Sequence, residues 1–247
     1  MLYSLSSNFK AVTGVYNNTV YVTTMKIGSI SFQAQMKDIH YVNQDTFLPQ
    51  FLKYLENPDI KRNIKLFIRD PFERYISGAI QNVTVYTGIF PIATEVPAFI
   101  RELIFLNDNK LTASINLLKK EYKNWRENGI PDKYLDLVFN LFKIYFEKSA
   151  VYELYHDPHV QPFYTPINNL LVNNKINTET LFLKDFNWKL TPTQLIDTMH
   201  SNKVFRKVAI EAFNQVNNEI LIDTIKSETV TYNHLLGLRK DVILDYI

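Results

Sequence analysis

Residues 64–74, with the sequence IKLFIRDPFER, decide the fold because they hold a strand and the start of the helix that follows it. Ile64–Ile68 is a short apolar run, which is typical of a buried parallel strand. Asp70 is a natural helix N-cap, and Pro71 is a natural first helical residue. We therefore predict a buried strand followed by a helix that continues to about Gln81.

The segment on the N-terminal side has the same order of strand, turn and helix. Asn18–Thr23 (NTVYVT) is β-branched and aromatic and predicts a strand, and Ser31–Lys37 has a helical pattern. Between them lies the turn Thr24–Ser29 (TMKIGS). Two further elements are predicted before residue 64, namely a strand at Ile39–Val42 and a helix at Phe47–Leu55.

The segment on the C-terminal side is predicted to be largely helical. Turn signals separate three candidate helices in the middle of the chain, at Glu95–Leu106, Leu111–Arg126 and Asp132–Glu147. The third is expected to lie in the core because its polar residues form one narrow stripe. An irregular stretch, a late strand and further helices are predicted after it, at Tyr155–Pro166, at Thr180–Leu183 and from Thr191 onward.

Together these elements predict an α/β fold with a P-loop-like parallel sheet flanked by helices, and with additional helices inserted in the middle of the chain. A chain of 247 residues with 46% hydrophobic residues is long enough for one large core. It contains neither an internal repeat nor a Ser/Gly linker. We therefore expect a single domain over residues 1–247.

Composition excludes several classes of function. The chain has 27 Lys and Arg residues against 25 Asp and Glu residues, a net charge of +2, so no charge excess indicates a nucleic-acid or membrane partner. The absence of cysteine excludes disulfides, thiolate zinc sites, iron–sulfur clusters and a cysteine nucleophile. No His and Asp residues have the spacing of metal ligands, so no metal is expected.

The sequence also predicts a cytoplasmic location. Met1–Lys10 lacks a basic region followed by an apolar core, so no signal peptide is expected. No uninterrupted apolar run reaches the roughly 18 residues that a transmembrane helix needs.

The turn around Lys26 is a candidate anion site. A strand that delivers Lys-x-Gly-Ser into a helix N-terminus presents backbone N–H groups, hydroxyls and an ammonium group to one small volume, which suits a phosphate or a sulfate. Gly28 permits close approach of the backbone, and Ser29 and Ser31 can donate hydrogen bonds. Lys26 precedes Gly28, so the Walker A spacing is absent. A Ser-capped helix beside a solvated lysine explains the same residues equally well.

Arg69 is a second candidate, because ligands of open α/β sheets collect at the carboxyl ends of strands. A guanidinium group in that position can bind a phosphate through two parallel hydrogen bonds. Ser77 follows two turns into the predicted helix. The alternative is an ordinary helix start, in which Asp70 and Glu73 form a capping box and Arg69 pairs with a surface carboxylate.

The two turns together resemble the cofactor motifs of the sulfotransferase superfamily, in particular its carbohydrate sulfotransferase branch. One motif is Lys-x-Gly-Ser-x-Ser after the first strand, and the other is Arg-Asp-Pro-x-Glu-Arg-x-x-Ser after an apolar strand. The resemblance implies that the chain uses 3′-phosphoadenosine 5′-phosphosulfate (PAPS). It implies that Arg69 and Ser77 bind the 3′-phosphate. It also implies that the 5′-phosphosulfate is held by Lys26, Ile27, Gly28, Ser29, Ile30 and Ser31.

Two further stretches are similar to the family. Asp157–Pro162 (DPHVQP) resembles its Asp-x-His-Trp-x-Pro element, with Val160 in the tryptophan position. Leu238–Tyr246 resembles its closing helix. The chain departs from the family at Met25, where a proline usually precedes the lysine.

Sulfuryl transfer needs a cation at the leaving oxygen and a base at the attacking hydroxyl. We expect Lys26 to supply the cation. His159 is the first candidate for the base because a neutral imidazole accepts a proton near pH 7, and His40 and Glu73 are further candidates. A hydrogen bond to a loop carbonyl explains His159 as well, and helix capping explains Glu73 better than catalysis does.

We therefore expect a PAPS-dependent sulfotransferase that acts on a hydroxyl group of an acceptor, with a carbohydrate as the expected acceptor. Two alternatives remain. One is a phosphotransferase of related fold, and the other is a non-catalytic protein that binds the product nucleotide 3′-phosphoadenosine 5′-phosphate (PAP).

A row of basic residues with a tryptophan lies on one predicted helix: Lys119, Lys120, Lys123, Trp125 and Arg126. This row could attract an anionic glycan, although a solvated helix face explains it better.

Overall fold

A computed structural model describes residues 10–27, 29–87, 109–157, 159–182, 185–186 and 192–237. The strands in these ranges are β1 (Ala11–Tyr16), β2 (Thr19–Thr23), β3 (Lys37–Val42), β4 (Asn63–Ile68) and β5 (Asn177–Phe182). The helices are α1 (Ser29–Gln35), α2 (Gln44–Leu55), α3 (Pro71–Tyr86), α4 (Asn109–Asn128), α5 (Asp132–His156), α6 (Tyr164–Asn173), α7 (Pro192–Phe213) and α8 (Glu219–Leu235).

The strands form one mixed sheet in the order β3, β1, β2, β4, β5. β2 pairs with β4, and β4 with β5, in parallel, whereas β1 is antiparallel to both of its neighbours. β2, β3, β4 and β5 therefore run in one direction and β1 runs against them. The predicted α/β class, with a sheet flanked by helices, is confirmed, but the prediction of a parallel sheet is wrong at β1.

A tight hairpin is the physical reason for the antiparallel strand. Asn17 and Asn18 join β1 to β2, and both have positive φ, at 48° and 57°. Two consecutive residues in the left-handed region form the type I′ turn that matches the twist of a two-stranded ribbon. Asparagine tolerates this region better than most residues. The Asn-Asn pair is thus a sequence signal for a hairpin in front of the first predicted strand.

Most of the predicted helices and strands are present, with shifted ends. α3 is longer than predicted and ends at Tyr86. The prediction that Tyr155–Pro166 is irregular is wrong at both ends, because α5 extends to His156 and α6 begins at Tyr164. Pro166 lies in the first turn of α6, where the missing N–H group of proline has no helical partner to lose.

Two predicted segments, Glu95–Leu106 and Leu238–Tyr246, lie outside the described residues. Among the helices of the described ranges, none is long and apolar enough to cross a membrane. The cytoplasmic location and the single domain stay predictions.

Two hydrophobic clusters of buried side chains lie on either side of the turn between β4 and α3. The sheet cluster includes Val22, Phe32, Phe47, Leu66 and Ile167. The helical cluster includes Ile76, Trp125, Phe142, Phe146 and Phe205. Ile68 belongs to the sheet cluster and Phe72 to the helical cluster, so Arg69–Pro71 lies at their boundary. The prediction of a core helix is confirmed for α5, since it supplies Phe142 and Phe146.

Candidate functional site

The turns that follow β2 and β4 meet at one edge of the sheet. β2 and β4 are parallel neighbours, so their carboxyl ends lie side by side. Arg69, directly after β4, donates a hydrogen bond from Nη1 to the Lys26 carbonyl in the turn after β2, at 3.0 Å. The two residues are 43 positions apart in the sequence, so no local effect accounts for this contact. The structure therefore brings the two predicted turns together.

Arg69 is fixed through its backbone as well as its side chain. Its N–H group donates to Tyr164 Oη at 2.8 Å, and the Tyr164 hydroxyl donates to the Arg69 carbonyl at 2.5 Å. Burial lowers the pKa of Arg69 from its ordinary value, and the negative charge of Glu73 opposes this shift. A guanidinium group that is held in place and still partly open to solvent is well suited to bind an anion.

The start of α3 has the predicted N-cap and the predicted first residue, and the Glu73 side chain contacts two arginines. The Asp70 carboxylate accepts the Glu73 N–H at 2.9 Å, and Pro71 is the first helical residue. The Glu73 carboxylate lies 3.7 Å from Arg69 Nη2 and contacts Arg206 of α7. Arg69 thus has the carboxylate partner that the alternative interpretation expects, in addition to its contact with the Lys26 turn.

Lys26 is a partly buried cation in a strained turn. Its φ is +66°, a left-handed conformation that residues with a Cβ rarely adopt. Burial, and next the positive charge of Arg69, lowers the pKa of Lys26 to about 8, while Asp157 opposes the shift. Lys26 is therefore not the solvated surface lysine of the alternative interpretation. An anion beside it would compensate for lost hydration and raise its pKa.

The rest of the first motif is described in part. Ile27 is buried in the sheet cluster, so its side chain anchors the turn. Gly28 lies outside the described residues. α1 begins at Ser29 and includes Ile30 and Ser31, and the side chains of these three residues lie outside the description.

The second motif continues along α3, which packs closely against the turn that carries His159. Ser77 is only 1% exposed, so the structure does not present its hydroxyl at the surface beside Arg69. A Cβ on the next residue, Gly78, would overlap the carbonyl oxygen of His159. Glycine at this position allows α3 to approach the turn that carries His159.

His159 is held between two polar side chains. Its Nδ1 lies 2.7 Å from Asp157 Oδ1, and its Nε2 lies 3.0 Å from the Gln81 side-chain nitrogen. In the tautomer that satisfies both contacts, Nδ1–H donates to Asp157 and Nε2 accepts from Gln81. Burial alone would raise the pKa of Asp157, but the hydrogen bonds and charge of His159 and the Tyr86 hydroxyl hold it below its ordinary value. The negative charge of Asp157 also acts on Lys26 and raises its pKa, against the effect of burial.

His40 is not brought to this site. It lies on the edge strand β3 opposite Thr13 of β1, and Thr13 in turn lies opposite Val22 of β2. Two strand spacings, roughly 10 Å, therefore separate it from β2. Its ring packs against Tyr54 of α2 with ring centroids 6.0 Å apart.

Two arginines complete the site without having been singled out by sequence reasoning. Arg74, 3% exposed, donates from Nε to the Met25 carbonyl at 3.3 Å and from Nη1 to the Gln161 carbonyl at 2.8 Å. It thereby links the Lys26 turn to the turn that carries His159. The signal for Arg74 is present as the last residue of RDPFER, whereas nothing around Arg206 in α7 indicates its role.

The basic row on α4 does not include its tryptophan. Trp125 is 1% exposed and packs in the helical cluster, while Lys119, Lys120 and Lys123 are exposed. This arrangement is that of a solvated helix face over a core residue.

Comparison of the chain with protein-family models, with curated proteins and with solved structures finds no match. Within the described residues, no group of three or more His, Asp or Glu side chains is arranged to hold a metal ion. A functional assignment therefore depends on the geometry of the two turns and on the resemblance of their motifs.

Proposed function

We propose that this protein is a PAPS-dependent sulfotransferase that transfers a sulfuryl group from PAPS to a hydroxyl group of an acceptor. The observation that carries the proposal is the hydrogen bond from the Arg69 guanidinium to the Lys26 carbonyl. It joins the motif that resembles a 3′-phosphate site to the motif that resembles a 5′-phosphosulfate site, so that one nucleotide can reach both. A carbohydrate is the acceptor class that the resemblance favours.

A P-loop-like fold is part of this proposal. The order β2, turn and α1, with β4 and β5 in parallel beside β2, supports it. In such an arrangement the turn and the helix N-terminus supply backbone N–H groups to a phosphate. The antiparallel β1 is an addition on the far side of β2.

Lys26 is the proposed cation at the leaving oxygen. In the reaction, the acceptor oxygen forms a bond to sulfur while the bond from sulfur to the bridging oxygen of PAPS breaks, and PAP leaves with that electron pair. With a pKa of about 8, Lys26 is mostly protonated at pH 7 and can stabilise the developing negative charge.

His159 is the proposed base that takes the proton of the acceptor hydroxyl. Asp157 holds Nδ1–H, which leaves the Nε2 lone pair as the proton acceptor. Gln81 occupies that lone pair here, so the acceptor hydroxyl must take its place before transfer. Asp157 also stabilises the imidazolium ion that results.

A transfer assay with labelled PAPS tests the proposal against a panel of glycans and small hydroxyl compounds. We expect Lys26→Ala to lose at least about 100-fold in rate, because a charged group at the leaving oxygen is removed. Lys61→Ala is the matched control, since Lys61 is exposed and precedes β4, at the opposite edge of the sheet. Wild-type rates of transfer by Lys26→Ala overturn the assignment.

A non-catalytic PAP-binding protein is the second candidate, and the Gln81 contact to His159 Nε2 favours it, because that contact occupies the proposed base. PAP binding without sulfate transfer to any acceptor of the panel supports this candidate. Thermal-shift measurements with PAP, ADP and GDP complete the comparison. Greater stabilisation by ADP or GDP than by PAP would favour a phosphotransferase instead.

A further inference from the structure

One carboxylate lies between Arg69 and a second arginine, Arg206. Glu73 Oε2 is 3.7 Å from Arg69 Nη2, and Glu73 Oε1 contacts Arg206 Nη2. The side chains of Arg69, Glu73 and Arg206 are 31%, 37% and 32% exposed, so a ligand can reach all three. Glu73 thus bridges two guanidinium groups that are open to solvent.

The neighbouring contacts hold the Arg69 guanidinium and the Glu73 backbone in place. Arg69 Nη1 is engaged by the Lys26 carbonyl, so the edge of the guanidinium that carries Nη2 is turned toward Glu73. The Glu73 backbone is held by Asp70 at the helix N-cap, which leaves its side chain to rotate. Displacement of the carboxylate therefore needs a change in side-chain rotamer and no change in the helix.

The charges around the bridge favour a second anion. Arg69 lowers the pKa of Lys26, and Arg206 lowers the pKa of Arg69, so the Arg69 guanidinium is close to a second positive charge on each side. A carboxylate supplies one negative charge to the two arginines. A phosphate monoester offers the same two-oxygen edge with a larger charge.

We propose that Arg69 and Arg206 form an anion subsite, which Glu73 fills in the absence of ligand and which a phosphate monoester group takes over by displacing the carboxylate. The inference rests on the proposed function, in which this group is the 3′-phosphate of PAPS or PAP. Arg206 is then a binding residue that lies outside both motifs, and Glu73 is a competitor of the ligand.

The subsite is tested by calorimetric titration with PAP and with adenosine 5′-monophosphate (AMP), which lacks the 3′-phosphate. Arg206→Met should weaken PAP binding about tenfold or more and AMP binding less than about twofold, because one charge-assisted contact to the 3′-phosphate is lost. Glu73→Gln should bind PAP about threefold more tightly than the wild type, because the competing charge is removed. Lys207→Met is the matched control, since Lys207 is the next residue on α7 and its side chain is 89% exposed.

The outcomes separate this inference from the proposed function. If the wild type binds PAP, and if Arg206→Met and Glu73→Gln bind it with the same affinity as the wild type, the subsite is overturned. The sulfotransferase proposal then stays intact. A wild type that does not bind PAP overturns the proposed function, and inorganic phosphate then decides the subsite. Tighter phosphate binding by Glu73→Gln than by the wild type supports the subsite, and equal affinity overturns it. Glu73→Gln keeps the shape of the side chain, so the test does not depend on the folding of Arg206→Met.

Discussion

The turn after β4 and the turn after β2 lie side by side but are built in opposite ways. After β4, Asp70 caps α3 and the Tyr164 hydroxyl satisfies both backbone groups of Arg69. After β2, Lys26 has a positive φ and a pKa lowered by burial. One turn is fixed by satisfied contacts, and the other holds backbone strain and a poorly hydrated charge. Strain of this kind persists only where the surrounding structure enforces it, and here the β4 turn does so.

Two arginines hold the β2 turn by hydrogen bonds to its backbone. Arg69 donates to the carbonyl of Lys26, and Arg74 donates to the carbonyl of Met25, so consecutive carbonyls of the β2 turn are held by the residue directly after β4 and by a residue of α3. These contacts use backbone oxygens, which every residue has. Met25 stands where the family that these motifs resemble usually has a proline, and this difference therefore does not remove the two hydrogen bonds.

The largest effect on the β4 turn is expected from Glu228, which anchors the start of α6. Its carboxylate, in a residue that is 5% exposed, accepts the N–H groups of Phe163, Tyr164 and Thr165 at 2.6, 2.8 and 2.8 Å. Glu228→Ala leaves these donors without their acceptor and should lower the free energy of unfolding by about 3 kcal/mol, measured by urea denaturation. Asp223→Ala, at an exposed position of the same helix, should cost less than about 0.5 kcal/mol. Equal costs for the two variants would contradict the anchoring role.

A smaller effect is expected from Tyr164→Phe, which removes only the hydroxyl that holds Arg69. The free energy of unfolding should fall by about 1–2 kcal/mol, because both backbone groups of Arg69 lose a partner. PAP binding should weaken as well, because the backbone of Arg69 is then no longer held by the Tyr164 hydroxyl. Tyr41→Phe is the control, since Tyr41 is 63% exposed. If Tyr164→Phe loses stability but keeps wild-type PAP affinity, Tyr164 does not position Arg69 for binding.

The difference between the turns also decides what could be predicted from the sequence. The β4 turn is set by local determinants, namely an apolar run, an N-cap and a proline, and the structure has the strand and the helix where these predict them. Tyr164 and Glu228 complete that turn through contacts that are distant in the sequence. Tyr164 lies 95 residues from Arg69, and Glu228 lies 63 to 65 residues from the N–H groups that donate to it. Such distant contacts arise from packing of whole elements and leave no local pattern.

Other differences have the same origin. The antiparallel β1 was not predicted, although the Asn17-Asn18 turn is a local signal for it. Arg206 could not have been found, because it reaches Glu73 only through the packing of α7 against α3. His40 lies on a predicted strand, yet the insertion of β1 into the sheet separates it from the site.

The smallest change in stability, with the opposite sign, is expected at the β2 turn itself. Lys26→Met removes a cation that folding desolvates, so the variant should be more stable than the wild type by about 1 kcal/mol at pH 7 while it loses sulfate transfer and PAP binding. The folded-state pKa of about 8 lies below the ordinary value of 10.5. Below pH 8 both the folded and the unfolded wild type are protonated, so the full cost of burying the charge is present there.

The pH dependence follows from the same shift and distinguishes charge burial from a change in packing. As the pH rises from 8 to 10.5, the folded wild type loses its proton before the unfolded chain does, so wild-type stability rises and the advantage of Lys26→Met shrinks. Chemical denaturation at several pH values measures this difference, with Lys61→Met as the control that should show no such trend. An advantage that stays constant over this range would indicate better packing rather than relief of a buried charge. If Lys26→Met is less stable at pH 7, the ammonium group is already compensated by its neighbours, and burial of its charge does not destabilise the β2 turn.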